Sequence, residues 1–255
     1  MPKKRIPTSP LIKIIPNVIT ITALCFGLSA IRFADQGEWE KAVALIIVAG
    51  ILDGMDGRIA RMLQADSNFG MQLDSFSDFL SFGVAPAVLT YLYSLKAWGN
   101  LGWAFCLFFV TCQALRLARF NIHAGSGQKK PEWQVNFSVG VPAPAGAALV
   151  MIPLMLDFGL RGQDITDFTI SPWVVAFFMS ISAILMASRV PVFVPKNVRT
   201  HPKLARFILI VVAIFMAALV SVPWLTLSTT GLIYLISLPF SYIAYKKARN
   251  QESRS

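Results

Sequence analysis

The chain has 255 residues, 55% of them hydrophobic and only 14% charged, and a net charge of +10. A mean hydropathy of +0.61 excludes an ordinary soluble domain and points to a protein built in a bilayer. The charge would suit nucleic acid, but no basic, aromatic-studded soluble face accompanies it, so nucleic acid is excluded as a partner and topology must explain the charge.

The N-terminal MPKKRIPTSPLIKIIPNVIT is basic, and no small-residue cleavage site follows its apolar run, which predicts a retained first span. A span needs about 20 mostly apolar residues. Eight runs qualify, at roughly 14–33, 40–63, 70–95, 99–120, 139–160, 172–188, 204–223 and 228–245. With the N-terminus inside, 19 of the 23 Lys and Arg residues fall on one face, and Arg32, Lys41, Lys96 and Arg161 fall on the other. Such a bias predicts both termini in the cytoplasm. Trp39, Trp98, Trp103, Trp173 and Trp224 lie near span ends, as interfacial aromatics do. Cys25, Cys106 and Cys112 sit in apolar runs without ligand spacing and read as buried small hydrophobes. His123 and His201 read as solvated loop residues.

The second and third spans carry the chemistry. Asp53 and Asp56 close the second, and Asp74 and Asp78 open the third. An antiparallel pair of spans brings all four to one depth near the cytoplasm, and spacings of three and four keep each pair on one helical face. Carboxylates are costly in hydrocarbon and persist there when paired, solvated or bound to a cation. Four that face each other repel strongly. All-oxygen ligation suits Mg²⁺, Mn²⁺ or Ca²⁺, and paired divalent ions serve displacement at phosphorus. A structural ion or a solvated helix end is the plainer alternative. Gly57 and Gly70 admit close approach of a ligand to the backbone, and Arg61 offers a fork of donors to a phosphate.

The pattern Asp53-x-x-Asp56-Gly57-x-x-Ala60-Arg61, then eight residues, then Gly70-x-x-x-Asp74-x-x-x-Asp78 resembles at every position the signature of the CDP-alcohol phosphotransferase family. The resemblance implies an all-α integral membrane protein, with about eight transmembrane helices around a six-helix core, acting as a homodimer. On it, residues 1–255 form a single membrane-embedded catalytic domain in the cell (inner) membrane, with the active site facing the cytoplasm among membrane lipids. It further implies two divalent cations, Mg²⁺ or Mn²⁺, held by Asp53, Asp56, Asp74 and Asp78, with Asp78 also the base toward the alcohol. Gly57, Ala60, Arg61 and Gly70 would line the CDP pocket. Pro16-Asn17-x-x-Thr20 is similar to a family feature near the nucleotide, with Asn17 and Thr20 as contacts; Pro-Asn at a helix start is equally good capping chemistry.

The acceptor is a separate matter. Arg116 and Arg119, in Arg116-Leu117-Ala118-Arg119-Phe120-Asn121, share a face at the end of the fourth span and suit a carboxylate or phosphate; snorkelling arginines are the alternative. The segment, including Asn121, resembles the corresponding one in the serine-accepting members of the family, as does FSVGVPAPAGA at 137–147. The substrates so implied are CDP-diacylglycerol and L-serine. Glycerol 3-phosphate, inositol phosphate or choline would use the same chemistry, choline favouring an aromatic cage over arginines. A divalent-cation transporter is the reading from another class, but its site would lie nearer the midplane.

Overall fold

The structure, a computed structural model, describes residues 14–63, 65, 67–125, 137–163, 170–188, 190–193 and 202–252. The N-terminal basic segment, Lys129, Lys130 and His201 lie outside the described residues. The chain is an all-α integral membrane protein, and it divides into two compact units, up to Tyr93 and from Ser94 onward.

The first unit is organised by α1 (Ile14–Asp35). Its buried residues, Pro16, Thr20, Ala23, Gly27, Ala30 and Ala34, recur at alternating spacings of four and three, which draws one narrow strip of small side chains along the helix. Between lipid-soaked helices there is no hydrophobic drive to associate, so close backbone approach over small residues supplies the attraction. Helix α2 (Trp39–Leu63) meets this strip with Ala42, Val43, Ile46 and Ala49. The opposite face of α1 keeps Val18, Ile21 and Leu28 exposed, and Cys25, expected to be buried, is exposed as well. Gly37, at φ +76°, turns the chain from α1 to α2. The amides of Gly37 and Glu38 donate to Ala34 O and Phe33 O, at 3.0 and 2.9 Å, the paired bonds of a helix closed by a left-handed glycine.

The third rod runs from Asn68 to Tyr93 in three pieces: α3 (Asn68–Phe79), a π-helical turn (Leu80–Val84) and α4 (Ala85–Tyr93). Ser67 caps α3, accepting the Gly70 amide at 3.0 Å. Pro86 has no N–H to return to Phe82, and the wide turn just before it absorbs that break, with Ala85 N–H reaching back to Leu80 O. Both α3 and α4 pack on α1, and α2 meets the rod at the π turn and at α4. The second and third spans are thus not a tight hairpin. They splay at the aspartates, and α1 fills in beside them.

The second unit contains a 3₁₀ turn (Leu95–Trp98), α5 (Asn100–Gly125), α6 (Ala143–Arg161), α7 (Pro172–Ala187), α8 (Pro202–Ser221) and α9 (Pro223–Glu252). Helix α6 is its core, with Leu149, Val150, Ile152 and Leu154 inaccessible and with α7 and α9 against it. The sequence reading did not anticipate a short antiparallel ribbon. Its strands, β1 (Phe137–Val139) and β2 (Pro191–Phe193), pair with Ser138 opposite Val192. His123, expected in a loop, belongs to the last turns of α5.

Among the described residues, five helical segments are long and apolar enough to cross a membrane, and α7 and Phe207–Ser221 are shorter apolar helices. With α2, whose own carboxylates and basic residues lower its hydropathy, they account for the eight expected spans. Their bounds agree with expectation within a few residues, except that α9 extends past 245 to Glu252.

Candidate active site

Asp53, Asp56 and Asp74 converge in the first unit. Each offers a carboxylate oxygen, and the three atoms lie within 4.8 Å of one another. Asp56 is the most buried, at 4% exposure, while Asp53 and Asp74 are half-buried. Asp78 stands one turn beyond Asp74 on α3, outside that trio, with Oδ1 shielded from solvent. Three carboxylates so close repel one another unless a cation lies between them. Hard oxygen donors alone, without His or Cys, fit Mg²⁺ or Mn²⁺. The divalent metal that the family resemblance implies therefore suits these residues.

A cleft of about 570 Å³ opens beside the trio. Its walls are Pro16, Asn17 and Thr20 from α1, Asp56, Gly57 and Ala60 from α2, Ala65 and Ser67 from the connecting loop, and Asn68, Gly70, Met71 and Asp74 from α3. Asn17, Thr20, Gly57, Ala60 and Gly70, expected at the nucleotide from the sequence, all line it, and Ala65, Ser67, Asn68 and Met71 line it without having been expected there. The signal available was Ser67 itself, a helix-capping residue type just ahead of the next run. Gly70 sits close to its neighbours: a Cβ there would lie 3.0 Å from Asn17 Oδ1 and 3.1 Å from Ser67 Oγ, so both side chains would have to give by a few tenths of an ångström.

Arg61 is not part of the wall. Its exposed side chain turns back along α2, and Nε donates to Gly57 O at 3.0 Å. Thr20 lines the cleft, yet its hydroxyl faces the protein. It lies 2.5 Å from Asp56 Oδ2 and 3.0 Å from Pro16 O. Ser77 Oγ donates to Thr20 O at 3.2 Å, and Ser81 Oγ to Ala23 O at 3.3 Å.

Arg116, Arg119 and Asn121 belong to the second unit, near the end of α5, and all three are half-buried. Arg116 Nε donates to Val141 O at 2.8 Å, just before α6. Arg119 aims its terminal nitrogens at Ala187 O and Ser188 O, where α7 ends, so its charge sits at the negative end of the helix dipole. Gly140, at φ +78°, passes close enough to α7 that a Cβ would lie 3.0 Å from Ser188 O. The arginine pair therefore stitches α5 to the start of α6 and the end of α7. Tyr234 of α9, which the sequence reading did not single out, has a hydroxyl shielded from solvent and within electrostatic reach of Arg116.

Residues 13–186 match the family described as CDP-alcohol phosphatidyltransferase, a stretch that holds the first six rods and ends with α7. Residues 203–239 match a second description, CDP-alcohol phosphatidyltransferase 2. The chain is 38% identical over 232 residues to the CDP-diacylglycerol–serine O-phosphatidyltransferase of Mycobacterium leprae (strain TN), covering 90% of this chain and 75% of that protein. It is 37% identical over 232 residues to the protein of that name in Mycobacterium tuberculosis (strain ATCC 25618 / H37Rv), with 90% and 78% covered. The Bacillus subtilis (strain 168) protein of the same name is 37% identical over 154 residues, 58% of this chain and 82% of that one.

Proposed function

The chain belongs to the CDP-alcohol phosphatidyltransferase family, and from that premise we propose that it is a CDP-diacylglycerol–serine O-phosphatidyltransferase. The observation that carries the chemistry is the trio Asp53, Asp56 and Asp74 beside a cleft. The acceptor rests on the serine transferases that resemble nine-tenths of the chain.

The serine hydroxyl attacks the lipid-proximal phosphorus of CDP-diacylglycerol; the new P–O bond forms as the bond to CMP breaks, giving phosphatidylserine and CMP. Asp78 takes the hydroxyl proton, a role that suits a carboxylate one turn from the trio. Asp53, Asp56 and Asp74, with Asp78 beside them, would hold two Mg²⁺ or Mn²⁺ ions, which would supply charge neutralisation for the pyrophosphate and the leaving phosphate. Asn17, Gly57, Ala60 and Gly70 form the nucleotide's walls, Gly57 and Gly70 letting it lie against backbone. Arg61, exposed at the rim, supplies its terminal nitrogens to the donor phosphates. Arg116 serves the serine carboxylate and Asn121 lies beside it, while Arg119 keeps the end of α7 in place for them.

One substrate is a lipid and the other water-soluble, so the site must open at a membrane surface. The arginine and lysine bias makes that surface cytoplasmic. The whole chain works as one catalytic domain of the inner membrane, as a homodimer, with α8 and α9 outside the six-helix core.

The test is an acceptor panel. Purified protein with CDP-diacylglycerol and Mg²⁺ or Mn²⁺ should release CMP with L-serine and yield phosphatidylserine. Turnover with glycerol 3-phosphate, inositol phosphate or choline and none with serine would refute the acceptor. Absence of CMP release with every alcohol would refute the reaction.

A further inference from the structure

We propose that Thr20 is a positioning residue that fixes the spacing of the carboxylates, rather than a contact to the nucleotide. The inference rests on the metal-dependent reading above and deepens it. Thr20 is 4% exposed, as is Asp56, and these two residues meet through a 2.5 Å hydrogen bond from the hydroxyl to Oδ2. The backbone of Thr20 works in the other direction: its carbonyl accepts Ser77 Oγ from α3 at 3.2 Å. Ser77 lies between Asp74 and Asp78 in sequence and so on the same two turns as both. One residue of α1 thus holds the α2 carboxylate by its side chain and, by its main chain, Ser77 on the stretch of α3 that carries Asp74 and Asp78.

The arrangement matters because α2 and α3 splay at this end and lean on α1 instead of on each other. Thr20 donates to Asp56, so it occupies one oxygen and orients the other, which is what outer partners of metal-binding carboxylates do. Its methyl group and β-branching limit the rotamers that could swing the hydroxyl into the cleft. One turn further along, Ser81 Oγ on Ala23 O and the contact of Gly27 with Ser81 repeat the same seam without a carboxylate. At Thr20 the seam touches the acidic group directly, through Asp56.

The experiment uses the full chain in detergent, with Mn²⁺ titrated in the absence of substrate and free Mn²⁺ read by electron paramagnetic resonance. Thr20→Val keeps shape and loses the donor. It should weaken Mn²⁺ binding by about 10- to 100-fold and raise the Mn²⁺ needed for half-maximal CMP release by a similar factor. At saturating Mn²⁺ its KM for CDP-diacylglycerol should stay within about twofold of wild type, since the hydroxyl faces Asp56 and not the cleft. Thr20→Ser, which keeps the donor, should restore Mn²⁺ binding. Ser77→Ala, which frees the other end of the clamp, should weaken it in the same direction by a smaller factor and serves if Thr20→Val is not recovered from the membrane. Normal Mn²⁺ binding in Thr20→Val with a raised KM for CDP-diacylglycerol would overturn the proposal in favour of a nucleotide contact. Equal losses in Thr20→Ser and Thr20→Val would overturn it in favour of mere packing. A wild-type protein that binds no Mn²⁺ and releases CMP in the presence of chelator would refute the cofactor reading along with it, a result unlike either of these.

Discussion

Gly27→Ala should loosen the first unit where its helices are closest. A Cβ built on Gly27 lies 2.4 Å from Ser81 Oγ, 2.8 Å from Ser81 Cα and 2.9 Å from Ser81 Cβ, whereas ordinary contact is 3.4–4 Å. Turning the Ser81 hydroxyl away relieves the first clash but not the other two, so α1 and the π turn must part by roughly 0.6 Å or more. Ser81 Oγ to Ala23 O, already 3.3 Å, then passes beyond hydrogen-bond range. Overpacking of this kind costs about 1–3 kcal/mol, and the lost interhelical bond adds about 0.6 kcal/mol. The sum, about 2–4 kcal/mol, corresponds to a fall of roughly 5–15 °C in apparent Tm for a chain of this size. The assay is survival of the monodisperse peak on size exclusion after heating in detergent. Gly54→Ala is the control, because nothing lies within 4 Å of a Cβ there and alanine favours the helix; it should melt no lower than wild type. Ser81→Ala added to Gly27→Ala should not rescue, since the backbone contact remains. A Gly27→Ala protein that melts with wild type would refute the seating of α1 on the π turn.

Two further outcomes test the roles assigned to single side chains. Asp78→Asn should lower kcat for CMP release by about 10²- to 10⁴-fold while CDP-diacylglycerol still binds, and near-normal turnover would end its role as base. The two arginines should separate: Arg116→Ala should raise the KM for serine at least tenfold, the usual loss for a charge-assisted hydrogen bond. Arg119→Ala should instead lower thermal stability by about 1–3 kcal/mol with the serine KM little changed, because its donors hold the end of α7; the reverse pattern would exchange their roles.

Much of this was legible in the residues. Apolar runs of span length separated by basic clusters located the helices, because hydrocarbon thickness sets their length and charge marks their ends. The signature from Asp53 to Asp78 located the acidic site, and Asn17, Thr20, Gly57, Ala60 and Gly70 do gather round one cleft. What the residues did not disclose is which face of each helix meets protein. In a bilayer both faces are apolar, so periodicity does not separate lipid from neighbour. That is why Cys25 was expected inside. The π turn depends on Pro86 and on how near Gly27 lets α1 come, a conjunction of distant positions. The ribbon of β1 and β2 joins residues more than fifty apart, and the partners of Arg119 are main-chain carbonyls at the end of another helix, which no spacing discloses.

The small-residue strip of α1 explains why the acidic site sits where it does. Around Thr20 and Ala23 the strip also takes part in side-chain hydrogen bonds: Thr20 Oγ1 donates to Asp56 of α2, and Ser77 and Ser81 of the third rod donate to the Thr20 and Ala23 carbonyls. Hydrogen bonds between helices in hydrocarbon each add about 0.6 kcal/mol on average, so the aspartate end is braced by more than small-residue contact. At that end rigidity has a use. Carboxylates that repel would otherwise relax by moving apart, and the cost of bringing them together again would fall on cation binding. A helix that fixes both walls from the side keeps the carboxylates together before any ion arrives. It also leaves the space between α2 and α3 free for a ligand, where a tight hairpin would have filled it with side chains.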